Sequence, residues 1–107
     1  MKKGQRFTGI IPPVVTPFTK EDKIDEVLFR AEIQYLLGCG VHGLSAGGST
    51  GEGAVLTDDE IFRLVRIIQE ENKNNIPVIA GIIRTSIQTA IATARIAKNA
   101  GADALLV

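Results

Sequence analysis

The chain has 107 residues, so it forms one domain or less. Its 45% hydrophobic and 22% charged content is ordinary for a globular protein, and twelve basic side chains balance twelve acidic ones. This balance argues against a nucleic-acid partner or a membrane surface, and no apolar run approaches the roughly 18 residues of a membrane span. A single cysteine, Cys39, excludes an internal disulfide and fits a reducing cytoplasm, and we expect its thiol to be buried.

Four short apolar runs alternate with three helical patterns along the chain. The first run, residues 9–15, contains two adjacent prolines, so we expect an irregular or partly unpaired strand. Asp25 is the candidate N-cap of the first helix, which should end at Gly38 or Gly40. The predicted buried stripe of this helix consists of Val27, Leu28, Ala31 and Tyr35.

The second apolar run, residues 41–46, leads into a glycine-rich loop and then into the second helical pattern. Thr57 and Glu60 have the spacing of a capping box, which predicts that the helix begins there. The helix should end within residues 72–75. Its predicted buried stripe consists of Ile61, Leu64, Val65 and Ile68.

The third run, residues 76–83, is rich in β-branched side chains and almost wholly apolar, which favours a strand covered on both faces. Ser86 is the candidate cap of the third helix, and Gly101 is its candidate end. Residues 102–107 form the fourth apolar run. The predicted buried stripe of the third helix consists of Ile87, Ala90, Ile91, Ala94 and Ala97.

The alternation of strands and helices predicts parallel βαβ units, which occur both in the (β/α)₈ barrel and in the open doubly wound sheet. A complete barrel needs roughly 200 residues or more, so four strands and three helices are about half of one. The sequence stops directly after an apolar strand. We therefore expect a truncated chain, in which residues 1–107 are the N-terminal part of a single barrel domain.

The loop LSAGGSTGEGAVLT, residues 44–57, is the strongest functional signal. Its glycines lack the spacing of a dinucleotide fingerprint or a P-loop. Because the loop follows a strand, it would lie at the carboxyl end of a parallel sheet, where α/β folds place their sites. Gly47 and Gly48 would let a ligand approach the backbone, and Ser49 and Thr50 would offer hydroxyl and amide donors to a carboxylate. A tight turn whose hydroxyls bond only their own backbone explains the same residues equally well.

Five segments together resemble the N-terminal half of the dihydrodipicolinate synthase and N-acetylneuraminate lyase family. They follow the order and spacing of that family and read GIIPPVVTPF (9–18), GVHGLSAGGSTGE (40–52), LTDDE (56–60), IPVIAG (76–81) and AGADALLV (100–107). The resemblance implies an α/β fold, a (β/α)₈ TIM barrel of which this chain holds about the first four strands and three helices. It also implies a lyase or synthase in which a lysine forms a Schiff base with pyruvate or a related 2-oxo acid. A carbon–carbon bond is then made or broken by aldol chemistry, and we predict no cofactor and no metal site.

The same resemblance implies that Ser49 and Thr50 bind the carboxylate of the 2-oxo acid, with Gly48 in the same substrate site. Ser49 would also join a proton relay with tyrosines. The synthases commonly have Thr-Thr at this pair and the sugar-acid branches commonly have Ser-Thr, so the second substrate stays open. Thr85 and Thr89 stand where feedback-inhibited synthases carry asparagine and glutamate, so we expect no inhibition by lysine. The family implies a homo-oligomer, a dimer or a tetramer.

The other chemistry-bearing residues are expected to have structural roles. A Schiff-base lysine needs a desolvated pocket, whereas each of the six lysines lies in a terminus, a polar loop or a helix end. The 107-residue chain alone should therefore be inactive. Tyr35 is expected in the core and His42 at the amino end of the second strand. Glu52 should stabilise a turn, while Glu60 should cap a helix. Arg84 is expected to be exposed, with contact to an acidic substrate or a neighbouring subunit as the alternative.

Three other interpretations remain open. A sugar-acid dehydratase of the same family would share the imine but not the aldol step, and a 2-keto-3-deoxy sugar-acid aldolase of the family is the related alternative. A non-catalytic half-barrel binding module, complete at Val107, would fold by itself. An open nucleotide-binding sheet would be stabilised by nucleotides.

Overall fold

The structure, a computed structural model, describes residues 7–107. Helices and strands alternate along this part of the chain, and a short 3-10 turn precedes the second helix. The elements are α1 (Glu26–Gly38), β1 (Leu44–Ala46), the 3-10 turn (Gly53–Val55), α2 (Asp58–Glu71), β2 (Val78–Gly81), α3 (Ile87–Ala100) and β3 (Ala104–Leu106). None of the helices within residues 7–107 combines the length and the apolar character needed to cross a membrane.

The three strands form one parallel sheet in the order β1-β2-β3, with Leu44 paired to Val78 and Ile79 paired to Ala104. The strand order follows the chain order without a reversal. A doubly wound sheet reverses its order at a switch point, whereas a barrel adds each strand beside the previous one. The order therefore favours the barrel over the open doubly wound sheet, although residues 7–107 form an open sheet and not a closed barrel.

The first apolar run lies beside β1 and pairs with it irregularly. The Val14 amide donates to the Ser45 carbonyl at 2.8 Å, and the Ser45 amide donates to the Pro12 carbonyl at 3.1 Å. Pro13 and Ser45 form a single parallel bridge, because prolines have no amide hydrogen with which to continue the ladder. The prediction of an irregular first strand is confirmed, and the expected four strands are three regular strands and this segment.

The sheet has one covered face and one open face. Successive side chains along a strand point to opposite faces. Alternate residues of β1 and β2 join the core with helix side chains: Leu44, Ala46, Val78 and Ala80. Ser45, Ile79 and Ala104 form a row on the other face, which lines an open concavity with Ile11 and Pro13.

Helix α2 follows its sequence signals closely. The Thr57 hydroxyl accepts from the Glu60 amide at 3.1 Å, and the Glu60 carboxylate accepts from the Thr57 amide at 2.9 Å, so the predicted capping box is present. The predicted stripe is also confirmed, with Ile67 in addition; the buried residues are Ile61, Leu64, Val65, Ile67 and Ile68. Asn72 ends the helix, within the predicted range.

The ends of the other two helices are confirmed as well. The Asp25 carboxylate accepts from the Leu28 amide at 3.1 Å at the start of α1, which ends at Gly38. The Ser86 hydroxyl accepts from the Thr89 amide at 3.2 Å at the start of α3. Gly101 closes α3 with a φ of 105°, a left-handed conformation that glycine adopts readily.

The buried face of α1 is not the predicted one. Phe29, Ile33 and Leu37 face the core, whereas Val27, Leu28 and Tyr35 are exposed, Tyr35 at 71%. Ala31 is exposed too. The helix carries two apolar series at helical spacing, and the series of Phe29, Ile33 and Leu37 joins the core. The predictions that this stripe is buried and that Tyr35 is a core residue are therefore wrong for residues 7–107.

Cys39 is exposed, contrary to the prediction of a buried thiol. It caps the C-terminus of α1 two residues after Leu37, the last core residue of that helix, and so it lies past the covered face. Its apolar sequence neighbours Leu36, Leu37 and Val41 do pack in or against the core, so they were no guide to the position of Cys39 itself.

The predicted stripe of α3 is correct only in part. Ala97 is buried and Ala90 and Ala94 are half-buried, but Ile87 is 79% exposed and Ile91 is 47% exposed. The fully covered residues are Thr93, Ala97 and Ala100. The hydroxyl of the buried Thr93 hydrogen-bonds to side chains of two neighbouring segments, described below, so burial does not leave it without a partner.

The capping box makes the stability of α2 testable. Thr57→Ala leaves the Glu60 amide without its acceptor, so we expect it to lower the free energy of unfolding by about 1 kcal/mol. Thr57→Ser keeps the hydroxyl and should change that free energy by a few tenths at most. Chemical denaturation of the three proteins measures both effects. Equal losses in the two variants would show that the hydroxyl does not cap the helix.

Candidate functional site

The glycine-rich loop connects β1 to α2 at the carboxyl end of the sheet. Gly47 turns the chain with a φ of 72°, which is a left-handed conformation. The Gly53 amide donates to the Gly48 carbonyl at 2.9 Å, and the Glu52 amide donates to the Ser49 carbonyl at 3.1 Å. These two bonds close a tight turn whose exposed tip is formed by Ser49 and Thr50.

Close backbone contacts explain two of the glycines, Gly53 in the loop and Gly81 at the end of β2. A Cβ atom on Gly53 would overlap the Gly47 carbonyl, and one on Gly81 would lie 2.6 Å from the Gly48 amide nitrogen. Both distances are too short for real side chains. The loop therefore packs backbone to backbone, against itself and against the end of β2, and glycine is required at these positions for steric reasons.

Gly48 differs from these glycines. It has no positive φ, and a Cβ atom there would meet no atom within 4 Å in the described part of the chain. Packing among residues 7–107 therefore gives no reason for a glycine at this position. A ligand that approaches the backbone would give one, and the assignment of Gly48 to the substrate site stays a prediction.

Ser49 and Thr50 make no side-chain hydrogen bond within residues 7–107, and their backbone amides donate none there. This does not fit a turn whose hydroxyls bond their own backbone, the alternative explanation of the sequence. The tip of the loop therefore has two hydroxyl and two amide donors free of partners in the described part of the chain. Their role in binding a carboxylate stays a prediction.

The base of the loop is held by a side chain that the sequence analysis expected to be exposed. The Arg84 side chain is only 14% exposed, and each of its five N–H groups has an acceptor. Nε donates to the Thr93 hydroxyl (3.0 Å), Nη1 to the carbonyls of Gly53 (3.0 Å) and Ile83 (3.0 Å), and Nη2 to the Leu56 carbonyl (2.8 Å) and the Asp58 carboxylate (3.2 Å). The prediction of an exposed arginine is wrong, because these acceptors replace water.

Asp58 completes this network at the start of α2. The Thr93 hydroxyl donates to its carboxylate at 2.6 Å. That hydrogen bond holds the pKa of the Asp58 carboxyl below its usual value, against the opposing effect of burial, and the Arg84 guanidinium lowers the pKa further. Asp58 also lies in the first turn of α2, where a negative charge is favourable. The ionised carboxylate thus joins three segments at the site.

A second contact holds the other side of the loop. The buried Thr16 hydroxyl donates to the Gly51 carbonyl at 2.7 Å. A Cβ atom on Gly51 would lie 2.8 Å from the Val14 carbonyl oxygen, so the loop also packs closely against the first segment. Thr16 was not among the predicted site residues, and its place directly after an apolar run at the carboxyl end of the sheet is the signal that could have revealed it.

Other residues singled out by the sequence have local structural roles. His42 precedes β1, and its Nδ1 atom accepts from the Ile10 amide at 2.9 Å. Glu52 adopts a φ of 60° within the turn. Thr85 is exposed, while Thr89 belongs to the cap of α3, with its hydroxyl 2.8 Å from that of Ser86.

The lysines of the described residues are all exposed: Lys20, Lys23, Lys73 and Lys98. Lys2 and Lys3 lie outside the described residues. None of the four lysines within residues 7–107 is therefore in a desolvated pocket of the kind that a Schiff-base lysine needs.

A family model described as the dihydrodipicolinate synthetase family matches residues 6–107. The chain belongs to this family. It is 42% identical over 101 residues to the 4-hydroxy-tetrahydrodipicolinate synthase of Nitratidesulfovibrio vulgaris (strain DP4). This match covers 94% of this chain and 34% of the relative's length. The chain therefore spans about a third of the relatives it matches, less than the half suggested by a minimal barrel.

Solved structures of this family resemble the described fold. YagE, a prophage protein of the dihydrodipicolinic acid synthase family from E. coli K12 in complex with pyruvate, matches with a TM-score of 0.84 and 36% identity, covering 92% of this chain and 33% of that one. CdNal from Clostridium difficile in complex with mannosamine matches with a TM-score of 0.85 and 33% identity, covering 94% and 35%. The fold class is that of the TIM barrels, and the open sheet is part of one.

The two kinds of glycine in the loop give a matched test. Gly53→Ala forces the loop apart, so we expect a loss of roughly 1–3 kcal/mol or more in the free energy of unfolding. Gly48→Ala should change that free energy by only about 0.5 kcal/mol or less, since its methyl group meets no neighbour. Chemical denaturation compares the two. An equal loss in Gly48→Ala would mean that the loop is packed differently.

The Asp58 network predicts a pH dependence. The pKa of Asp58 is lower in the folded chain than in the unfolded chain, where it is about 3.9. Ionised Asp58 therefore stabilises the fold fully at pH values above the unfolded pKa. This stabilisation is lost as the pH falls through the folded pKa. Thr93→Val should raise the pKa of Asp58, as followed by NMR titration. The pH-dependent part of the effect of Thr93→Val on the free energy of unfolding should be about 1 kcal/mol or less. The Asp58 side chain is 41% exposed, so solvent screens its charge.

The control for this titration is the Asp58→Asn background. In that background, Thr93→Val should change the free energy of unfolding by the same amount at pH 3 and at pH 7. Other titrating groups contribute equally with and without Thr93→Val, so they cancel in the difference. An unchanged Asp58 pKa in Thr93→Val would show that the hydroxyl does not stabilise the carboxylate.

Proposed function

We propose that the protein is a lyase or synthase that forms a lysine Schiff base with pyruvate or a related 2-oxo acid and then makes or breaks a carbon–carbon bond. Membership of the dihydrodipicolinate synthetase family supports this, as do relatives that are synthases and a solved relative that binds pyruvate. The observation that carries the proposal is the loop tip, where the donors of Ser49 and Thr50 have no partner within residues 7–107.

In this proposal the loop tip binds the carboxylate of the 2-oxo acid. A carboxylate accepts several hydrogen bonds at once, and hydrogen bonds to a charged acceptor are stronger than those between neutral groups. The hydroxyls of Ser49 and Thr50 and their amides supply such donors at the carboxyl end of β1, where barrel enzymes bind substrates. Gly48 leaves room for the substrate to approach the backbone.

Ser49 has a second proposed role, in proton transfer. A hydroxyl both donates and accepts, so it can pass a proton between the reacting 2-oxo acid and a neighbouring acid or base. The neutral lysine amine attacks the keto carbon, and loss of water gives the imine. Loss of a proton from the adjacent carbon then gives an enamine, which attacks an aldehyde in the synthetic direction.

The lysine and the relay tyrosines would come from outside the described residues. The four described lysines are exposed, and Tyr35 lies on α1 rather than in the loop. We propose that residues 1–107 are the N-terminal part of a longer TIM-barrel domain and are inactive alone. β3 supports this, since Leu105, Leu106 and Val107 are 41%, 62% and 93% exposed beside an unpaired edge. We further propose a homo-oligomer, a dimer or a tetramer, for the whole protein.

The proposal is tested on the protein as its source cell makes it, by intact mass after treatment with pyruvate and borohydride. We expect a chain longer than 107 residues that gains one reduced pyruvate. Ser49→Ala and Thr50→Val should each raise the pyruvate concentration for half-maximal trapping roughly tenfold or more, as expected for the loss of a hydrogen bond to a charged group. Ser49→Thr keeps the hydroxyl and is the matched control.

The outcomes separate the parts of the proposal. No adduct in the natural protein would overturn the Schiff-base chemistry. An adduct whose half-maximal concentration is the same in Ser49→Ala and Thr50→Val would overturn the assignment of the loop tip. An adduct without any aldol product, but with loss of water from a sugar acid, would favour the dehydratase of the same family.

A further inference from the structure

We propose that Arg84 is a positioning residue for substrate binding, which holds the Ser49–Thr50 turn in place from the neighbouring loop after β2. The inference rests on the proposed function, because it concerns the affinity of that turn for a 2-oxo acid. Arg84 itself has no free donor to offer a substrate, since all five of its N–H groups are bonded within the described residues. Its effect on binding must therefore act through the loop.

The contacts run from Arg84 to the turn in two steps. Arg84 donates to the Gly53 carbonyl at 3.0 Å and to the Leu56 carbonyl at 2.8 Å, at the two ends of the 3-10 turn. The Gly53 amide in turn donates to the Gly48 carbonyl at 2.9 Å. Ser49 and Thr50 lie between Gly48 and Gly53, so a shift of Gly53 moves the segment that carries both hydroxyls.

Few other side chains hold this loop. Within residues 7–107, only Thr16 and Arg84 donate to carbonyls of residues 47–56, Thr16 to Gly51 and Arg84 to Gly53 and Leu56. The tip itself makes no side-chain hydrogen bond in this part of the chain. The position of the two hydroxyls therefore depends on how firmly the base of the loop is held.

The guanidinium is itself fixed from the opposite side. Its Nε donates to the buried Thr93 hydroxyl of α3, and Nη2 donates to the Asp58 carboxylate of α2. Asp58 and Thr93 are bonded to each other at 2.6 Å. A planar group with five donors in fixed directions matches these acceptors, whereas a lysine ammonium has three donors at one point and cannot reach them all.

The competing account is that the network only stabilises the fold. Buried ion pairs are weak evidence for stability, because desolvation offsets much of their attraction. The two accounts differ in where the structure loosens when Arg84 is removed. A positioning role predicts a local change at residues 47–56 and a change in substrate affinity, whereas a general role predicts loosening of all the helices.

The experiment compares Arg84→Ala and Arg84→Lys with Arg95→Ala in the protein at its natural length. Arg95 is an exposed arginine on α3 without a hydrogen-bond partner in the described part of the chain, so it is the matched control. Hydrogen exchange is followed at the Glu52 and Gly53 amides and at core amides of α2. The pyruvate concentration for half-maximal borohydride trapping is measured in parallel, without and with added guanidinium ion.

We expect exchange at Glu52 and Gly53 to become at least tenfold faster in Arg84→Ala, with the α2 core unchanged. The half-maximal pyruvate concentration should rise roughly tenfold, while the fraction trapped at saturation stays the same. Guanidinium ion should restore part of the affinity of Arg84→Ala but not alter Arg95→Ala. Arg84→Lys should show the same local loosening, to a smaller degree. If Arg84→Ala does not fold, the exchange and trapping measurements on Arg84→Lys test the positioning role instead.

Unchanged exchange at Glu52 and Gly53, or exchange that rises equally in all helices, would overturn the positioning role. So would an unchanged half-maximal concentration in a protein that traps pyruvate. If the natural protein traps no pyruvate, the proposed function fails, and the inference about substrate binding fails with it even where hydrogen exchange shows that Arg84 holds the loop. The exchange and trapping measurements thus separate the two failures.

Discussion

The carboxyl ends of β1 and β2 meet with no side chain between them, and the site depends on this contact. Gly81, at the end of β2, lies against the backbone of Gly47 and Gly48, and Gly53 folds back onto Gly47. Each of these contacts excludes a Cβ atom. Because the loop lies so close to the sheet, its tip is short, and Ser49 and Thr50 are exposed directly above the strand ends. Packing within residues 7–107 therefore explains Gly53 and Gly81, whereas it gives no reason for a glycine at position 48.

Steric fit alone does not orient a loop, and here polar contacts from both sides add direction. Thr16 bonds to the loop from the first segment, and Arg84 bonds to it from the segment after β2. Burial of a guanidinium is unfavourable unless every donor has an acceptor, and this arginine meets that condition. The carboxylate of Asp58 supplies the compensating charge. The network thereby connects the base of the loop to α2 and α3 through hydrogen bonds with defined directions.

The local features of the fold could be predicted from the sequence, while features that depend on distant residues could not. Asp25, Thr57 and Ser86 cap their helices as expected, because a cap depends on residues three positions away. The buried face of α1 was predicted wrongly, since both of its apolar series have helical spacing and the choice depends on what covers the helix. The exposure of Arg84 was also predicted wrongly, because three of its five acceptors lie 26 to 31 residues earlier in the chain.

The resemblance to a family and the local pattern both pointed to the loop tip as a candidate site, but neither could show what holds it. The side chains that hold the loop, Thr16 and Arg84, together with Asp58 and Thr93, all belong to residues 7–107. A barrel enzyme draws its site from the loops after several strands. In the proposed function, the part that recognises the carboxylate is thus built within these residues, while the lysine that forms the imine comes from elsewhere. The lysine can then be replaced without changing the residues that bind the carboxylate, whereas Ser49 serves both carboxylate binding and proton transfer.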